Sequence, residues 1–114
     1  MTPGSALRGV LVDAVIGHLA EDVERNKQTP KGEITLFDLP ADTVKMLTWY
    51  IQHHPDSTAS ILGTICFEAH VRLELDPAQV GAVLRHSFHM DSGLGQDLIN
   101  RLMDMALPPS ARKR

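Results

Sequence analysis

Thr64–Leu75 reads TICFEAHVRLEL, and the fold of the chain turns on whether this stretch is a strand or a helix. Ile65, Phe67, Ala69, Val71, Leu73 and Leu75 alternate strictly with Cys66, Glu68, His70, Arg72 and Glu74, which is the period of a half-buried strand. The same residues also fit a helix, because Ile61, Ile65, Ala69 and Leu73 recur at i+4 with Leu62 and Cys66 beside them. Flanking signals favour the helix. Asp56, Ser57 and Thr58 are all competent N-caps, and Leu75-Asp76-Pro77 is a stop followed by a restart.

Outward from this stretch the punctuation is helical on both sides. Asp76-Pro77-Ala78-Gln79 is a variant capping box, with Leu75 and Val80 as its hydrophobic staple, and opens a helix carrying Val80, Val83, Leu84 and Phe88. A break at Asp91-Ser92-Gly93 leads to a last helix whose inward residues are expected to be Leu94, Leu98, Ile99, Leu102 and Met105, ended by Pro108-Pro109. On the N-terminal side, Pro40 suits a first helical position, and a helix is predicted from about Pro40 to His53 with Val44, Leu47 and Ile51 on its inner face. His54-Pro55 stops it. Glu33–Leu39 reads as a short extended segment.

The first helix is predicted to be capped by Ser5 and to present Leu7, Val10, Leu11, Ala14, Val15, His18 and Leu19 on one face. The polar run Glu21–Lys31 is expected to end it and supply a loop, with Asp13, Glu21, Asp22 and Glu24 solvated. Taken together, the signals predict a mainly α protein. One domain covers residues 1–107, a compact bundle of about five helices with room for one short strand pair, followed by a basic tail at 108–114 that contains Arg112-Lys113-Arg114. The alternative is α+β, with strands near 33–39 and 64–75.

Composition limits the function classes. Apolar residues are 43% of the 114 and charged ones 22%, ordinary globular usage, while aromatics at 4% require an aliphatic core. A net charge of -3 provides no global field to gather polyanions, so nucleic acid is not an expected partner. One cysteine excludes an internal disulfide. Arg8, Asp13 and His18 interrupt what would be a signal peptide's apolar core, and no apolar run is long enough to span a bilayer, so a cytoplasmic protein is expected.

Three chemistries can be read from the residues. Cys66 and His70 share a face at i+4, and His86 and His89 follow three apart on the next predicted helix, a donor set suited to zinc as the one cofactor alternative. The bland alternative packs Cys66 as a small hydrophobe and leaves these histidines at the surface, while His53 and His54 read separately as a capping pair at a helix C-terminus. A DNA-binding helix-turn-helix near 77–103 is a second alternative, although its second helix carries Asp97 and Asp104 beside Asn100 and Arg101. No nucleophile elbow or Gly-rich phosphate loop occurs, so no enzyme is expected. The leading expectation is a protein-binding regulator or adaptor acting as a homodimer. Val12, Ile16 and Val23, which widen the apolar face of the first helix, and the Trp49-Tyr50 pair are the expected interface.

Overall fold

Burial decides between the two readings of Thr64–Leu75. In the computed structural model, which describes residues 3–28 and 35–106, the chain forms α1 (Pro3–Lys27), α2 (Ala41–His53), a 3₁₀ turn (Pro55–Ser57), α3 (Thr58–Leu73), α4 (Pro77–Asp91) and α5 (Gln96–Ala106). The protein is a mainly α bundle, and no strand occurs among the described residues. Along α3, Ile61, Leu62, Ile65, Cys66 and Ala69 are buried, whereas Phe67 and Val71 are 62% and 58% exposed. A strand would have placed Phe67 and Val71 beside Ile65 and Ala69; a helix puts them on the opposite side. The 64–75 strand of the α+β alternative is therefore corrected to helix.

α3 is the hub, packing against α1, α4 and α5. Its buried face meets Leu11, Val15 and Leu19 of α1, Val80 and Leu84 of α4, and Ile99, Leu102 and Met103 of α5 within one aliphatic core. Val12 and Ile16 belong to that core, at 6% and 2% exposure, and Val23 packs against it. The wide apolar face of α1 is explained by two neighbours, since both α2 and α3 pack on it. Val12 and Ile16 are thus inside the chain rather than on a surface for a second copy, and that part of the expectation is corrected, while Val23 is partly buried.

Of the predicted extended segment Glu33–Leu39, residues 35–39 are described and pair with no strand. Glu33 and Ile34 lie outside the described residues, as do the Thr29–Gly32 turn and the 108–114 tail with its proposed boundary at 107. For residues 35–39 the backbone partners are side chains. Asn26 receives the Thr35 N–H at 2.8 Å and donates back to the Thr35 carbonyl at 2.8 Å. Asp22 Oδ2 accepts from Phe37 N–H at 2.9 Å, and Ser87 Oγ of α4 accepts from Leu39 N–H at 2.9 Å. Every second N–H of the segment, which would have faced a neighbouring strand, is satisfied by α1 or α4 instead.

Asp22 is the departure from expectation here. The polar run after Glu21 continues as helix to Lys27, and Asp22 is fully buried rather than solvated. Its carboxylate is compensated by Arg25 at 3.1 Å, by the Phe37 N–H, and by His18 at 3.6 Å. Arg25 also lies over the Phe37 ring, 4.9 Å from its centroid, so one helix end clamps the connector twice.

The joints between the later helices follow their local chemistry. Glu74 takes a left-handed conformation (φ 58°) and its N–H donates to the His70 carbonyl at 3.0 Å, an αL cap in which glycine is the usual residue. Asp76 then caps α4 by accepting from Ala78 N–H at 3.0 Å. Between α4 and α5, Gly93 supplies φ 76°. The register of α5 differs from the expected one: Ile99, Leu102 and Met103 are buried, while Leu98 and Met105 are exposed. The last helix contributes Met103 because α3 and α4 meet it from a direction its own pattern does not specify.

Two stability predictions follow from these joints. Glu74→Gly relieves the left-handed strain and is expected to stabilise the fold by about 0.5–1 kcal/mol. Asp22→Ala leaves the Phe37 N–H without its buried acceptor and should cost about 3 kcal/mol. Urea denaturation read by circular dichroism measures both. Equal stability of wild type and D22A would refute the clamp.

Candidate interaction surface

α2 is built so that one face is buried and the other is free. Val44, Leu47, Thr48, Tyr50 and Ile51 face the core, and Thr48 satisfies its hydroxyl by donating to the Val44 carbonyl at 2.8 Å. With those positions inside, helical period leaves Asp42, Lys45, Met46, Trp49, Gln52 and His53 exposed. Met46 and Trp49 are 47% and 48% exposed, a large apolar pair at i+3. Of the expected Trp49-Tyr50 pair only Trp49 is on the surface; Tyr50 is buried, because adjacent helical residues point about 100° apart.

The indole is held in place. It stacks on His53 with ring centroids 4.3 Å apart and an interplanar angle of 25°, and meets His54 edge-on at 6.5 Å. His53 is itself fixed, since its Nδ1 lies 2.8 Å from the Trp49 carbonyl; a carbonyl only accepts, so Nδ1 carries the proton. His54 is tied by its N–H to the Tyr50 carbonyl at 2.8 Å and its ring packs at 4.7 Å from the Tyr50 ring. The two histidines expected as caps therefore also position the aromatic platform. A pre-set indole lowers the entropy lost on binding.

The zinc-type set is not brought together. Cys66 faces the core, where burial pushes its thiol up from 9.0 to about 11. His70 is exposed and hydrogen-bonds the Leu75 carbonyl at 3.1 Å, and His86, on the outer side of α4, pairs with Asp38 at 2.8 Å. His89 is exposed further along α4. Among the described residues no three His, Cys, Asp or Glu side chains form a group that could hold a metal ion. The shared spacing of Cys66 and His70 failed as a guide because Cys66 sits within the buried arc of α3 and His70 at its edge.

The helix-turn-helix alternative corresponds to α4 and α5 joined by Ser92–Gly95. On α5 the exposed side chains include Asp97, Asn100, Arg101 and Asp104, so carboxylates outnumber the single cation where phosphates would approach. No helix among the described residues is long and apolar enough to cross a membrane. No family model matches the chain, and no curated protein or solved structure matches it.

Sequence reasoning missed two polar contacts that shape this side of the molecule, the Asp22 clamp and the Asp38–His86 pair. The Asp38–His86 pair and the Phe37 N–H bond to Asp22 join residues distant in sequence, whereas His18, Asp22 and Arg25 share a helical spacing that marks an ion-pair row but not its burial.

The buried thiol gives a measurable pH dependence. Unfolded, Cys66 loses its proton near 9.0, and folded near 11, so between these values the native chain binds the proton that the unfolded chain has released. Stability contributed by Cys66 is therefore complete below about pH 9 and falls as pH rises toward 11, by about 2 kcal/mol. The difference in unfolding free energy between wild type and Cys66→Ala, followed from neutral to alkaline pH, should shrink or reverse across that window. A difference independent of pH would rule out the desolvated thiol.

Proposed function

We propose that this protein is a small regulator or adaptor that binds another protein through the outer face of α2, with Trp49 as the anchor and Met46, His53 and His54 around it. The single observation that carries the reading is the half-exposed indole, stacked and fixed on a helix whose other face is locked into the core. Trp is the residue type most enriched among binding hot spots, and it acts best when already held in its bound conformation. The flanking Met46 adds a flexible apolar contact that adapts to a partner's shape. Asp42, Lys45 and Gln52 provide the polar rim usual around such a centre.

A DNA-binding role is less favoured, because the exposed face of α5 carries Asp97 and Asp104. A binding role is preferred to a catalytic one because the residues gathered around Trp49 offer stacking and apolar contact, with no nucleophile and base within reach of each other.

A photo-crosslinking amino acid in place of the exposed Lys45 tests the reading in the native host. Covalent adducts with protein are expected from this position and should be lost when Trp49→Ala is added. The same group in place of the exposed Ala78 on α4 is the control. Adducts that persist in the W49A background, or none from position 45, would exclude the α2 face.

A further inference from the structure

Four exposed side chains on α2, Asp42, Met46, Trp49 and His53, run at i, i+4, i+7 and i+11, one stripe along the helix about 16 Å long at about 1.5 Å per residue. The stripe is chemically asymmetric end to end. Asp42 lies in the first turn, where the helix dipole is positive, and His53 in the last turn, where it is negative. Rotation of a second copy by 180° about an axis crossing the middle of the stripe sets Asp42 opposite His53 of the other chain, and Met46 opposite its Trp49. Each of these contacts then occurs twice, as a two-fold interface requires.

We propose that the partner of the α2 face is a second copy of this chain, docked with the two α2 helices antiparallel. The proposal rests on the reading that this face binds protein and adds the identity of the occupant. Three features support self-pairing. The acidic end meets the imidazole end, so the two ends of the stripe are complementary and the two helix dipoles oppose each other. A thioether against an indole is a favourable apolar contact, whereas a parallel arrangement would set Met46 on Met46. The other large exposed apolar face, Phe67 and Val71 on α3, has its flanking polar groups already engaged within the chain, Ser60 by Arg8 at 2.8 Å and Arg72 by Glu68 at 3.7 Å.

His53 keeps its Nδ1 proton on the Trp49 carbonyl, so Nε2 is the nitrogen that meets the partner's carboxylate. Other titratable groups at that end of the helix are His54 and, in the 3₁₀ turn packed on α2, Asp56. One helix face per chain buries little area, below the roughly 1,200 Å² that separates weak from standard interfaces, so a transient dimer is expected.

Sedimentation equilibrium of the full chain tests the proposal over micromolar to sub-millimolar concentrations. A reversible monomer–dimer equilibrium is expected. Trp49→Ala should weaken it by at least about tenfold. Asp42→Lys and His53→Glu should each weaken it, and the double variant D42K/H53E should dimerise more tightly than either single variant, since the swapped charges again face each other while the stack of His53 on Trp49 stays lost. Circular dichroism melts confirm that each variant is folded, and Phe67→Ser serves as a surface control that leaves the dimer intact. A monomer at every concentration, or a dimer insensitive to W49A, overturns the proposal; a double variant no tighter than either single variant overturns the antiparallel register. Crosslinking from position 45 separates this failure from that of the broader reading. A product of twice the chain mass supports the self-pair, adducts of other masses with no self-adduct leave a protein-binding face but exclude a second copy, and no adduct excludes both.

Discussion

Burial of one face of α3 is the constraint on which the other elements depend. Ile61, Leu62 and Ile65 are fully enclosed, each stabilising the fold by roughly 1.5–3 kcal/mol relative to exposure, and they are enclosed by three different helices. A strand at this place would have buried Phe67 and Val71 as well, yet it would have needed a partner to satisfy its backbone. The helix satisfies its own backbone and leaves two large side chains in water. Since residues 35–39 are engaged by side chains of α1 and α4, no edge is on offer for a ladder, and the helix is favoured on both counts.

The second constraint is polar. A carboxylate removed from water is costly unless paired and hydrogen-bonded, and Asp22 has an arginine, a backbone N–H and a histidine around it. That arrangement fixes where the connector leaves α1 and hence where α2 begins. Ser87 of α4 holds the other end of the connector through Leu39. The orientation of α2, and with it the direction in which Trp49 faces, is thus set by a buried charge on α1 and a buried hydroxyl on α4. Position of the candidate surface and stability of the connector share one set of hydrogen bonds.

The exposed face of α2 carries an aromatic platform, the Trp49 indole stacked on His53, with Met46 beside it. Isolated exposed hydrophobic residues are normal on any protein, and Val10, Met90 and Met105 are of that kind. Trp49 is distinguished by its fixed stack on His53 and by Met46 beside it. A rigid indole between an acidic helix start and a histidine-bearing helix end has the chemistry of a contact centre.

Much of this was legible in the sequence because it is local. Helix ends at His54-Pro55 and at Asp76-Pro77, the capping role of Asp76, and the inward set Val44, Leu47 and Ile51 follow from dihedral limits, cap chemistry and a period of 3.6, none of which needs a partner element. Even the ambiguous Thr64–Leu75 leaned the right way on its flanking caps. What the sequence could not determine is which of several compatible faces turns inward. Tertiary packing alone decided that Val12 and Ile16 are core, that α5 buries Met103 rather than Leu98, that Asp22 is inside, and that Cys66 is buried while His86 is exposed. The physical reason is common to all of these. Periodicity states that a helix has an apolar arc, but the direction and width of the arc that is buried depend on how many neighbours pack on it, and those contacts join residues that no local spacing connects.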